Sequence, residues 1–364
     1  MTLLSEFQQT QLPDSYLKLD AATLTQHIQT AKAQLGSKLL LLAHHYQKDE
    51  IVAQADFVGD SLQLAQLAAK NHDVDYVVFC GVHFMAETAD MLTEADQQVI
   101  LPDLNAGCSM ADMANMYQVT AAWQAIQARY PDEVLPVTYV NSSAAVKAFV
   151  GEHGGVIVTS GNAEKVLQWA LKQKPRIFFL PDQHLGRNTA YQLGIPLEQM
   201  VLWNPTQGQF EGQADQSTRV ILWDGWCAVH QQFNVAQIKA LRAQDPAIKI
   251  IVHPECAYDV VQAADVVGST HKIMTTVAQS PENTHWAVGT DHNLVRRMQQ
   301  NLPQKIDFIN PIACACMTMN RIKLPHLAWC LDQLVAGEVP NQIKVDTATT
   351  EKSLAALQRM LALS

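Results

Sequence analysis

The sequence predicts an α/β fold in which parallel sheets, flanked by helices, are divided among three small related domains. Three observations predict it. Short apolar runs alternate with stretches of helical periodicity, the pattern of strand–helix–strand units. A four-part succession of strands and turns recurs three times along the chain. A cysteine follows the last strand of each succession, at Cys108, Cys227 and Cys314.

The first part is an apolar strand running into a polar turn. Leu39–Leu42 leads to His44, His45 and Tyr46; Val134–Thr138 leads to Tyr139 and Asn141; Ile248–Val252 leads to His253, Pro254 and Glu255. The second part is a small hydroxyl-bearing turn before a helix: Gly59-Asp60-Ser61, Thr159-Ser160-Gly161-Asn162 and Gly268-Ser269-Thr270. The third is another strand meeting a turn: Val77–Phe79 to Gly81, Ile177–Leu180 to Asp182, and Trp286–Val288 to Thr290. The fourth is the strand that delivers the cysteine: Val99–Leu101, Val220–Trp223 and Ile306–Ile309.

A helix precedes each first strand. Thr23–Leu35 stops at Gly36, Ala111–Arg129 ends before Pro131, and Val235–Gln244 ends before Pro246. Asn204–Ser217 has no periodicity and reads as a surface excursion, and Gly151–Gly155 as a glycine-rich turn. Leu324–Val335 and Thr350–Leu363 read as helices. The expected domains are residues 20–107, 108–226 and 227–313, with residues 314–364 carrying the third cysteine and the last helices.

The chain has 364 residues, 48% of them hydrophobic, and a net charge of −10. It has no basic stripe, so nucleic acid and anionic membrane are poor partners. No apolar run approaches the roughly 20 residues that span a bilayer. Met1–Asp20 lacks the charged-then-apolar layout of a secretion signal, and the expected location is cytoplasmic. Seven cysteines in such a compartment are expected as reduced thiols or metal ligands. Cys80 and Cys330 lie in apolar runs and read as core residues, and Cys256 as structural. Cys316 stands only two residues from Cys314.

Polar residues at the carboxyl ends of parallel strands are where α/β sheets gather ligands. Three thiols from equivalent turns can converge on a metal centre that keeps one position open, and spacing alone does not separate zinc from an iron–sulfur cluster. Ser61, Ser160, Ser269 and Thr270 stand at helix starts, where free N–H groups favour phosphate or carboxylate; simple N-capping is the alternative for each. His44, Tyr46, Tyr139, Asn141, His230, His253 and Glu255 supply acid–base candidates.

Taken in order, these pieces resemble the quinolinate synthase family. The residues that carry the resemblance begin with Ala43-His44-His45-Tyr46-Gln47, Gly59-Asp60-Ser61, Phe84-Met85-Ala86-Glu87-Thr88 and Leu101-Pro102-Asp103. They continue with Ala106-Gly107-Cys108-Ser109-Met110-Ala111-Asp112, Tyr139-Val140-Asn141, Thr159-Ser160-Gly161-Asn162-Ala163 and Pro181-Asp182-Gln183-His184-Leu185-Gly186. Cys227-Ala228-Val229-His230, His253-Pro254-Glu255-Cys256, Gly268-Ser269-Thr270, and Cys314 with Met317-Thr318-Met319-Asn320 complete the set. The resemblance covers about Lys38 to Asn320.

The resemblance implies three pseudo-symmetric α/β/α sandwich domains around a central [4Fe–4S] cluster, one per chain, with three cysteine ligands and one open iron. It implies condensation of iminoaspartate with dihydroxyacetone phosphate to quinolinate, phosphate and water in de novo NAD biosynthesis. The cluster ligands then map to Cys108, Cys227 and Cys314, the last because it stands three residues before the first Met of Met-x-Met-Asn. Glu255 and His253 would move protons, Tyr46 and Tyr139 would relay them, and His230 and His44 would orient bound groups. Ser61, Asn141, Ser160, Ser269 and Thr270 would hold carboxylates and phosphate, together with His44, His253 and Glu255. An L-aspartate oxidase supplying the unstable iminoaspartate is the partner such a pathway implies. Two rivals use the same residues: a zinc-dependent lyase or aldolase on a sugar phosphate, and a non-catalytic iron–sulfur sensor.

Overall fold

A computed structural model describes residues 12–363. Most of the segment read above for a signal, Met1–Asp20, lies outside the described residues. The chain is α/β, with three mostly parallel sheets flanked by helices. It forms two compact units. One comprises the residues up to Gly107 with Met317–Val345, and the other Cys108–Cys316 with Asp346–Ser364. The segment 314–364 contributes to both.

The first unit holds one sheet. Its order runs Gln342–Ile343, Gln98–Ile100, Tyr76–Cys80, Leu39–His44, Phe57–Gly59. The second unit holds two. One runs Val156–Val158, Val134–Tyr139, Arg176–Leu180, Val220–Trp223, Met200–Asn204, Gln209–Glu211; the other runs Val266–Val267, Lys249–Val252, His285–Gly289, Lys305–Phe308. The four-part repeat is visible in this order. In every sheet the first strand of the succession lies between the second and the third, and the fourth lies outside the third. Register repeats as well: Leu42 pairs Phe57 and Phe79, Val137 pairs Val156 and Phe179, and Ile251 pairs Val266 and Val288.

Strands covered by helices on both faces need apolar side chains at successive positions rather than alternating ones. Leu39–His44, Val134–Tyr139 and Val220–Trp223 are buried throughout. Local chemistry sets the helix boundaries. Asp20 caps Ala21–Leu35 by accepting from Thr23 N, and the helix stops at Gly36, whose φ of 55° favours glycine. The helix expected over Ala111–Arg129 is two pieces, Ser109–Asp112 and Met116–Arg129, because Asn115 caps the second by accepting from Gln118 N. Asn204–Ser217 is not wholly irregular. Gln209–Glu211 folds back antiparallel on Met200–Asn204 through a turn at Gly208.

Gly151 differs from its reading as a turn residue. It lies in the helix Ala144–Glu152, where a Cβ would overlap the Lys352 carbonyl of the helix Thr347–Ala362. Glycine is therefore present for close helix approach. Gly151→Ala is expected to cost roughly 1–3 kcal/mol through overpacking, read as a lower urea midpoint at unchanged slope; an unchanged midpoint would mean that the two helices do not pack this closely.

Candidate active site

Four strand ends of the second unit converge on one buried carboxylate. The turn after Lys249–Val252 delivers His253 and Glu255, and Val134–Tyr139 ends in Tyr139. Beyond Val220–Trp223 come Cys227 and the helical turn His230–Gln232, and after His285–Gly289 come Thr290 and Asp291. Glu255 is only 3% exposed. Tyr139 Oη donates to its Oε1 at 2.6 Å, and His230 Nδ1 meets its Oε2 at 2.8 Å. His230 Nε2 meets Thr290 Oγ1 at 3.2 Å, so both ring nitrogens have partners. His253 stacks on His230, centroids 4.5 Å apart and planes 16° from parallel, with its Nδ1 3.9 Å from Glu255 Oε1.

Burial opposes ionisation of Glu255. The two imidazoles, together with the hydrogen bonds from His230 and Tyr139, outweigh it and hold the carboxyl below the usual carboxylate range. Burial pushes His253 down to about 3 against the pull of Glu255, and His184 down to about 4, with Arg187 adding to the effect. Both rings are neutral at neutral pH. Asp182 is fully buried at the start of the helix Gln183–Gln192. Its Oδ1 caps Leu185 N at 2.6 Å, while Oδ2 has no hydrogen-bond partner. Burial, then the charge of Glu255, push this acid well above its ordinary value.

The thiols gather near this network. Cys227 Sγ lies within 4.8 Å of ligand atoms of His230 and Glu255. Burial pushes Cys108 up to about 12 and Cys227 well above the ordinary thiol value. The charge of Glu255, and after it Cys316 and Cys108, raise Cys227 further; Cys316 and then Glu255 raise Cys108. Cys314, the third ligand expected from the sequence, is not the thiol that acts on the other two. Its Sγ donates to Ile312 O at 3.2 Å, and its own upward shift comes from burial and from Asp291. Cys316 is anchored instead through its backbone N, which donates to Asp291 Oδ2 at 2.7 Å. All seven cysteines are unpaired by disulfides.

The other expected residues are distributed as follows. Asn141 has a buried Oδ1 with no partner. Ser160 lies in the turn before the helix Ala163–Gln173. Ser269 caps Thr270–Gln279 through Lys272 N at 3.4 Å, so local capping accounts for one bond of its hydroxyl, and Thr270 is buried. In the first unit, His44 is buried at its strand end and accepts from Tyr46 N at 3.1 Å, with the two rings edge to face. Ser61 is the first residue of Ser61–Lys70, and Asp60, not Ser61, is the cap. The sequence reading gave no role to Thr290, Asp291, Asp182 or Asn188. Three of these stand at or beside the turns that mark the third part of the repeat, and that position was the available signal.

Cys108 and Cys227 are raised by burial, so these two thiols hold their protons until a cation replaces them. Such donors fit an iron–sulfur centre, whose charge favours thiolate.

Comparison with known proteins gives a consistent result. Residues 26–362 match the family described as quinolinate synthetase A protein. A quinolinate synthase of Listeria monocytogenes (serotype 4b, strain F2365) is 56% identical over 367 residues, covering all of both chains. One from Anoxybacillus flavithermus is 55% identical over 96% of each chain. The Bacillus subtilis (strain 168) quinolinate synthase is 53% identical, covering 97% of this chain and 96% of its own. The chain belongs to the quinolinate synthetase A protein family.

Proposed function

We propose that this enzyme of NAD biosynthesis condenses iminoaspartate with dihydroxyacetone phosphate, releasing quinolinate, phosphate and water, and that Glu255 is its central proton carrier. The observation that carries the assignment of Glu255 is its buried carboxylate, bonded at once to Tyr139 and His230. Ring closure requires removal of protons from carbon beside an imine or carbonyl, and enol–keto interchange. A carboxylate held by two hydrogen bonds is a weak base. Substrate that draws the Tyr139 hydroxyl away removes one of those bonds and raises its basicity toward the range a general base needs. Tyr139 then returns or receives a proton at the same oxygen, and His230 keeps the carboxylate aimed through Nδ1–H. His253 is proposed to assist from 3.9 Å away, and because burial disfavours its imidazolium any proton it takes is passed on to Glu255.

Asn141, Ser160, Ser269 and Thr270 are proposed to bind the carboxylates and the phosphate. The unpartnered Asn141 Oδ1 accepts, so it would take a substrate N–H or hydroxyl, and the Asn141 amide N–H would be the group that meets an anion. The same reading gives His44 and Ser61 substrate-binding roles and Tyr46 a proton-relay role. Cys108, Cys227 and a third thiol would hold a [4Fe–4S] cluster, which would supply Lewis-acid chemistry for loss of a hydroxyl. We propose Cys316 as that third thiol in place of Cys314, because the Cys314 Sγ–H is turned to Ile312 O while Cys316, anchored by its backbone to Asp291, stands near enough to bear on both of the others. A cytoplasmic location and delivery of iminoaspartate by an L-aspartate oxidase belong to the same reading. No helix among the described residues is long and apolar enough to cross a membrane.

The zinc reading has one observation in its favour, the grouping of Cys227, His230 and Glu255. Both ring nitrogens of His230 are already engaged, by Glu255 and Thr290, which argues against that ring as a ligand. Iron and sulfide in the isolated protein are expected; zinc without sulfide would favour the lyase.

Anaerobically purified, cluster-reconstituted protein should form quinolinate from the two substrates. An intact cluster without product would favour the sensor. Glu255→Gln is expected to lower kcat by about 10²-fold or more with iron retained; full turnover would remove Glu255 as the base. Cys316→Ala should lose iron and sulfide while Cys314→Ala keeps them, and the reverse would restore Cys314 as the ligand.

A further inference from the structure

We infer that Asn188 is a positioning residue that fixes Glu255 for proton transfer, an inference that rests on Glu255 being the base. Asn188 lies in the helix Gln183–Gln192 and is 5% exposed. Its Nδ2 donates to Pro254 O at 2.9 Å and to Cys256 O at 2.8 Å. A primary amide nitrogen carries two protons, and both are used here. The two acceptors are the carbonyls of the residues on either side of Glu255, so one side chain holds the backbone before and after the base.

The holding point is itself rigid. Asp182 caps the helix, Leu185 is fully buried, and a Cβ at Gly186 would overlap Phe179 of the strand beneath. Asn188 thus ties the helix after Arg176–Leu180 to the turn after Lys249–Val252, within the second unit. The contacts of Glu255 at 2.6 Å and 2.8 Å, to residues from two other strand ends, depend on where that turn sits. A shift of about 1 Å in a reacting group can cost on the order of 10²-fold in rate.

Asn188→Leu removes both donors and keeps the volume. The holoenzyme variant is expected to lose roughly 10- to 100-fold in kcat, with iron content retained and KM for both substrates little changed. Ala190→Gly, a buried change in the same helix, serves as the control for stability alone. If it lowers the melting temperature as much but keeps kcat, the loss at Asn188→Leu reports position. Unchanged kcat in Asn188→Leu, a rise confined to KM, or an equal loss of kcat in Ala190→Gly would overturn the inference. Glu255→Gln is assayed alongside. If it keeps turnover, the reading of Glu255 fails; if it loses turnover while Asn188→Leu does not, only the role of Asn188 fails. Should the leucine variant not fold, Asn188→Asp, which keeps the shape and forfeits the amide donors, is read by the same kcat and KM criteria.

Discussion

A carboxylate removed from water costs several kcal/mol unless hydrogen bonds and counter-dipoles replace its hydration. Glu255 meets that constraint with a hydroxyl, an imidazole N–H and a second imidazole stacked on the first. Breaking a buried pair by removing one partner typically costs 3–5 kcal/mol, so Tyr139, His230 and Glu255 form a unit. Thr290 extends it by fixing the far nitrogen of His230, and Asn188 extends it through the backbone. Burial first, and then the same Glu255 charge, raise Asp182 well above the ordinary carboxyl value.

The fold provides such a unit because the same strand order is used three times. With the first strand between the second and third, the chain leaves in opposite directions on its two sides, and a crevice opens at the carboxyl ends. Tyr139 and His253 occupy or follow first-strand ends, and Asp182 and Thr290 follow third-strand ends. Cys108 and Cys227 follow fourth strands. Residues far apart in sequence, such as Tyr139 and Glu255 at a separation of 116, become hydrogen-bond partners without any local motif that joins them.

Much of this was legible in the sequence. Leu39–Leu42 and Val220–Trp223 stand out as strands because both faces are buried and the apolar run is unbroken. The repeat was legible because each turn carries polar residues that a buried strand end would otherwise avoid. What was not legible turns on backbone direction. Asp60 and Ser61 are both good caps, and only φ and ψ decide that Asp60 is the one. Gly151 resembles a turn residue until a second helix is seen against it. Cys314 and Cys316 lie on an irregular segment, where the spacing to Met317 cannot say which thiol faces Cys108. Asp291 holds the Cys316 backbone and Ile312 O takes the Cys314 thiol, and the proposal of Cys316 as the ligand rests on these tertiary contacts rather than on spacing. Asn188 carries no chemical signal of its own; its role exists only through two carbonyls more than sixty residues away.

The central claim is that Glu255 is ionised while buried, held by Tyr139 and His230. An infrared difference spectrum between the native protein and Glu255→Gln at neutral pH tests this most directly, with carboxylate labelling used to isolate the side-chain bands. The account predicts loss of an ionised carboxylate stretch in the variant. Loss of a protonated-acid carbonyl band instead would contradict it, because Glu255 would then be an acid in the resting protein and its neighbours acceptors rather than donors.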